Sequence, residues 1–233
     1  MSSRLLLSEP QAPADLDTFL GRAVQVQDGS ARIVSSGGVL AVYVPVLFPT
    51  GLLDDSATIL GLRTFALAPA NDEEQNAADV DSVVPMASLR ARAAAAQSTG
   101  GGFELGVPTP VYSVTWAGVI PPRSGWQPLG MSVPSSLLAE VAENGIRDVA
   151  EAIPDSAGDA IVRQVRALVW GEPIQGAEAL PRGAAFAAQT LGFLPPTDAE
   201  PDMGVVYEVG PWTRLTLARG HVLIKRRSWS LAG

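Results

Sequence analysis

The end of the chain carries a pattern that admits few folds. The runs GVVYEV, WTRLTLA and HVLIKRR alternate apolar and polar residues and are separated by short Gly-containing turns. A strand turns successive side chains to opposite faces, so Leu215, Leu217, Val222 and Ile224 read as one apolar face. Strands joined by turns this short pair antiparallel. A three-stranded antiparallel meander is therefore expected here, with one face directed at a core that some other layer must complete.

The preceding residues supply that layer. In VPSSLLAEVAENGIRDVAEAI, Leu138, Val141, Ala142, Ile146, Val149 and Ile153 recur at helical spacing, and Gly145, costing about 1 kcal/mol against Ala, marks an expected kink or break. In SAGDAIVRQVRALVW, Ile161, Val165, Leu168 and Val169 form a stripe, with Ser156 and Asp159 as a weak capping box. A third helix, RGAAFAAQTLGFL, is small and apolar nearly all round, the composition of a buried helix.

The N-terminal half reads as β-rich. A short helix in ADLDTFLGRA places Leu16, Phe19 and Leu20 on one face, and alternation on both sides of Asp28-Gly29 suggests a hairpin. SSGG at 35–38 makes the next turn. VLAVYVPVLF and LGLRTFALA are further strands, the first placed at an edge or bulge by Pro45. Residues 68–109 change character: an acidic run, an Ala-rich helix begun by Pro85, and the linker-like STGGG suggest a flexible surface excursion. PVYSVTWAGVI returns as a strand, and Trp116 and Trp170, each among apolar neighbours, are assigned to core packing. The order of strands, helices and strands argues for an α+β fold. It divides into a β-rich subdomain over residues 1–120 and a helical subdomain with the meander over residues 121–233.

Enzymatic signatures are missing. The chain has no Cys and a single His, so thiolate chemistry, disulfides and Cys-based metal sites are excluded and a zinc site is improbable. There is no G-x-S-x-G elbow, and STGGGFELG lacks the Lys of a phosphate loop. NDEEQNAADVD has no EF-hand spacing and reads as a solvated acidic loop. No catalytic residue, metal ligand or cofactor is assigned, and His221 is read as a turn or structural residue. The N-terminus has no apolar run of signal-peptide length, and no stretch approaches a membrane span. A bacterial, cytoplasmic, non-membrane protein is expected.

Charge is distributed unevenly. The chain carries a formal net charge of −8, disfavouring general attraction to nucleic acid, yet Arg214, Arg219, Lys225, Arg226 and Arg227 gather near the C-terminus with Glu208. Arg and Trp also recur together: Arg123 with Trp126, Trp212 with Arg214, and Arg227 with Trp229. Such pairs stack and can hold a carboxylate, phosphate or planar base. The expected binding patch is Arg123, Trp126, Trp212, Arg214, Lys225, Arg226, Arg227 and Trp229. The favoured function is a non-enzymatic binding or regulatory protein acting on a protein partner or as a homo-oligomer. One alternative is nucleic-acid binding through the basic C-terminal segment of a winged-helix-like half, although its third helix offers base edges little beyond Arg182 and Gln189. Another is an enzyme with a carboxylate and Arg site that no motif reveals.

Overall fold

A computed structural model describes residues 4–51, 54, 56–69, 79–99, 102–112, 114–118, 120–154, 157–196 and 202–225. The chain is α+β, with five helices and antiparallel sheets among the described residues, and divides into two compact units. The first comprises Met1–Pro45 and Leu62–Gly118, and the second Val46–Gly61 and Val119–Gly233. Residues 46–61 therefore group with the second unit, where a division at residue 120 places them in the first.

Residues 4–118 contain, in chain order, β1 (Arg4–Leu7), α1 (Ala12–Val26), β2 (Ser30–Ser36), β3 (Val39–Leu47), β4 (Thr58–Ala66), β5 (Asp81–Pro85), α2 (Met86–Ala94), β6 (Gln97–Thr99), β7 (Gly102–Gly106) and a 3-10 turn at Thr115–Gly118. The chain passes between the units inside β3 and inside β4. Strands β5, β2, β3 and β4 are neighbours in that order, and β1, β7 and β6 form a separate small sheet. Gly37 and Gly38 close the β2–β3 hairpin at φ 58° and 78°, values that side-chain-bearing residues rarely adopt. Leu16, Phe19 and Leu20 of α1 are fully buried, as are Ile33, Leu40 and Leu89. Asp15 and Asp17 on α1 pair with Arg63 at 2.7 Å and Arg90 at 2.9 Å.

Four expectations for this half are corrected. No hairpin forms around Asp28-Gly29, because α1 runs on to Val26. Ala23 extends the buried stripe of Leu16, Phe19 and Leu20, and this longer helical period outweighs three alternating residues. Strand β3 is flanked by β2 and β4, so of the edge or bulge expected from Pro45 the edge is excluded. Its ladder with β2 covers Val39 to Tyr43, so the missing N–H of Pro45 removes no bond from it. STGGG is no simple linker, since β6 and β7 flank its glycines. Gly102 lies so close to the Leu7 carbonyl that a side chain there would collide with it. Finally, the described residues of PVYSVTWAGVI form no strand, only the 3-10 turn that buries Trp116. Residues 70–78, which hold most of the acidic run, lie outside the described residues, and regular elements occupy 81–94, 97–99 and 102–106.

The second unit adds β8 (Gln127–Pro134), α3 (Ser135–Ala152), α4 (Asp159–Gly171), β9 (Pro173–Ile174), β10 (Ala177–Pro181), α5 (Arg182–Thr190), β11 (Met203–Val209), β12 (Trp212–Leu217) and β13 (Gly220–Lys225). The expected meander is present as β11, β12 and β13, with β8 added beside β11. Val206, Leu215, Val222 and Ile224 form its buried face, and Gly220 on that face abuts the ring of Phe193 just beyond α5. Helix α5 buries Gly183, Ala184, Ala185, Ala187 and Ala188, as its composition requires.

Helix α3 is continuous through Gly145, which makes room for the Trp170 ring of α4. Trp170 in turn stacks on Phe186 of α5, with ring centroids 4.4 Å apart. This rotates α4 so that Trp170 enters the core, leaving Ile161 and Leu168 of the expected buried stripe 48% and 66% exposed.

Candidate functional site

The β11–β12 hairpin turns at Gly210-Pro211, with Gly210 at φ 52°. That two-residue connection makes Val209 the partner of Trp212 and therefore Tyr207 the partner of Arg214. Alternation carries Tyr207, Arg214, Thr216 and His221 to the face opposite Leu215 and Val222, turned away from α5. The β12–β13 register places His221 opposite Thr216 and Lys225 opposite Trp212.

A loop before β8 completes the site. Gly125 takes φ 84°, and Trp126 donates its indole Nε1–H to the Pro122 carbonyl at 3.0 Å, which orients the ring. The Arg214 guanidinium carbon then lies 4.6 Å from the centroid of Trp126 and 4.6 Å from that of Tyr207. Each contact of this kind contributes about 0.5–2 kcal/mol.

The guanidinium meets rings where several other arginines of this chain meet carboxylates. Arg4, Arg32, Arg63, Arg90 and Arg182 each meet a carboxylate, with Arg182 bridging Asp148 and Glu172. Among the described residues Arg214 meets aromatic rings and no carboxylate, and its Nε is buried without a hydrogen-bond partner. Burial lowers its pKa, with Tyr207 opposing part of that shift. His221 is pushed down to about 4, first by burial and then by the Arg214 charge, so its ring is neutral at pH 7. Its Nδ1 lies 3.1 Å from the Thr216 hydroxyl. The result is a fixed cation with unused donors, chemically suited to an anion or a planar group.

The expected patch is distributed as follows. Trp126 and Arg214 are brought together, Arg214 stacking on Trp126 and not on its near neighbour Trp212. Trp212 is only 2% exposed and packs in the core. Arg123 is exposed in the loop before Trp126, and Lys225 is half-buried at the end of β13. Arg226, Arg227 and Trp229 lie outside the described residues. Tyr207 and His221 were absent from the patch. The Gly-Pro turn was the available signal for Tyr207, because counting back from it pairs Tyr207 with Arg214.

Among the described residues, no group of three or more His, Asp or Glu side chains is placed to hold a metal, and no helix is long and apolar enough to cross a membrane.

The fold and site together define an α+β protein with an aromatic-flanked arginine on one face of an antiparallel sheet. The chain belongs to the family described as Domain of unknown function (DUF8010), whose model matches residues 1–118. The model of Domain of unknown function (DUF8185) matches residues 121–229. No curated protein matches the sequence. Similar solved structures include the DNA polymerase sliding clamp from Caulobacter crescentus, at 12% identity and TM-score 0.48 over 99% of this chain and 67% of that one. The sliding clamp from Pseudomonas aeruginosa is 12% identical at TM-score 0.44, over 100% and 65% of the two chains. The clamp from Bartonella birtlesii, a DNA polymerase III subunit beta bound to griselimycin, is 12% identical at TM-score 0.46, over 99% and 66%. The chain thus spans about two thirds of the length of these clamps.

Proposed function

We propose that this chain is a non-enzymatic binding protein of the bacterial cytoplasm that engages a protein partner, or a second copy of itself, through the Arg214-bearing face of the second unit. The observation that carries this reading is the Arg214 guanidinium held by Trp126 and Tyr207, with no carboxylate partner among the described residues. Aromatic and arginine side chains dominate binding energy at protein interfaces because they combine large contact area with directional donors.

Two features favour protein over nucleic acid. Helix α5, third in the order that suggested a winged helix, is buried and has no polar face to lay in a groove. Helix α3 exposes Glu140, Glu143 and Glu151, which repel phosphate. The alternative of nucleic-acid contact through Lys225, Arg226 and Arg227 retains a direct test of its own.

The experiment is capture from source cells with the wild type and the Trp126→Ala and Arg214→Met variants, with and without nuclease, beside sedimentation equilibrium for self-association. A nuclease-resistant partner or self-association weakened at least tenfold in folded variants is the expected result. Binding that survives both substitutions overturns the reading. Nuclease-sensitive, salt-dependent capture lost on replacing Lys225, Arg226 and Arg227 with Ala favours the nucleic-acid alternative.

A further inference from the structure

We infer that the Arg214 cradle is a carboxylate-binding site, receiving an Asp or Glu side chain or a C-terminal carboxylate of the partner. This rests on the reading of that face as a binding surface and names the chemistry of its ligand.

The argument begins with the donors. A guanidinium has five N–H groups in a planar fork that matches a carboxylate. The Trp126 and Tyr207 ring centroids lie 4.6 Å from its central carbon, and a cation held by aromatic faces keeps its N–H donors for hydrogen bonding. Nε is enclosed and unbonded while Arg214 as a whole is only part-buried, so a ligand would approach through the terminal nitrogens. Two parallel N–H···O bonds to one carboxylate fit that edge, and an aromatic-flanked, partly desolvated cation binds such a group more strongly than one in open water.

Charge selects carboxylate over phosphate. A phosphate dianion needs several cations or clustered backbone N–H donors for neutralisation. Here His221 is neutral at pH 7, and Lys225 is on the same face, as the diagonal neighbour of Arg214 across the β12–β13 ladder. The guanidinium that the two rings touch is one cation, which matches a monoanion. The pattern elsewhere in the chain agrees, since Arg32 and Arg182 occupy partly buried positions with carboxylate partners supplied in cis. Among the described residues Arg214 has no such partner, which leaves its donors for a carboxylate of another molecule.

The sole His of the chain offers an unambiguous reporter, because His221 lies within electrostatic reach of Arg214. The full chain is titrated with amidated penta-glutamate, with a free-acid penta-alanine, and with inorganic phosphate, and the His221 Hε1 proton resonance is followed. Saturable movement with either peptide, weakened at least tenfold in Arg214→Met and partly retained in Arg214→Lys, is expected. The binding arm that responds separates side-chain from terminal carboxylate. The inference is overturned by a response to phosphate alone, by no response to any probe, or by a peptide response unchanged in the Arg214 variants. Trp126→Leu provides a second variant should Arg214→Met fail to fold, with the same tenfold weakening expected. Loss of partner capture in Trp126→Ala without any carboxylate response would defeat this inference and leave the binding surface standing; unaffected capture defeats the surface itself.

Discussion

Gly145 of α3 lies against the six-membered ring of Trp170 of α4, so close that a Cβ on Gly145 would overlap the ring. Two effects of opposite sign meet in Gly145→Ala. Helix propensity favours Ala by about 1 kcal/mol, whereas overfilling a packed site costs about 1–3 kcal/mol and more when neighbours cannot move. Trp170 is 2% exposed and stacked on Phe186, so it cannot yield. Gly145→Ala should therefore lower stability by about 1–2 kcal/mol in urea denaturation. Combining it with Trp170→Leu should remove most of that penalty relative to Trp170→Leu alone.

His221 links stability to pH. Its folded pKa of about 4 lies below the usual 6.5, so the unfolded chain binds the proton more readily. The stabilisation of the neutral ring is fully present above pH 6.5 and is lost as pH falls toward 4. Its size is at most about 3 kcal/mol. Urea midpoints measured across that window should fall for the wild type, and the fall should be smaller in His221→Gln.

Asp54 fastens its segment of the second unit. Its carboxylate accepts hydrogen bonds from the backbone N–H and hydroxyl groups of Thr50 and Ser56. Partial burial opposes ionisation, but these bonds outweigh it and bring the pKa from 3.8 to about 2. The resulting stabilisation is present above the unfolded pKa and lost as pH falls through 2. Asp54→Ala should cost about 1 kcal/mol and accelerate amide exchange at Thr50 and Ser56. Unchanged exchange would show that the segment is held by other contacts.

Arg182 joins α3 to the start of α5 by pairing with Asp148 while also bonding Glu172 at 2.8 Å. Its side chain is 16% exposed, and replacing it leaves the carboxylate of Asp148 without this partner. Arg182→Met should destabilise by about 1–2 kcal/mol, more than an exposed single pair contributes. A double-mutant cycle with Asp148→Asn measures the coupling directly, and additivity would assign the loss to packing of the arginine stem.

Part of the candidate site was legible as residues and part as geometry. Trp126 and Arg214 belong to a recurring Arg and Trp composition, but nearness along the chain suggested Trp212 as the partner of Arg214. On a strand, residues two apart share a face without their side chains having to stack, and Trp212 is buried on that face while Arg214 meets the rings of Trp126 and Tyr207. Similarly, the apolar period of α4 was readable, while its rotation was not. The amphipathic pattern names a stripe, and the space opened by Gly145 decides that Trp170 is the side chain that enters.

The sequence by itself determined the local order: alternating strands after 203, helical spacing after 134, and the Gly-Gly and Gly-Pro turns that set hairpin registers. These follow from steric rules acting over a few residues. Tertiary structure decided where Val24 to Val26 belong, why Pro45 is tolerated in an inner strand, and how Trp126 meets Arg214. Those outcomes depend on which distant surfaces pack together, and the free energy of that burial exceeds the small local preferences that a short pattern expresses.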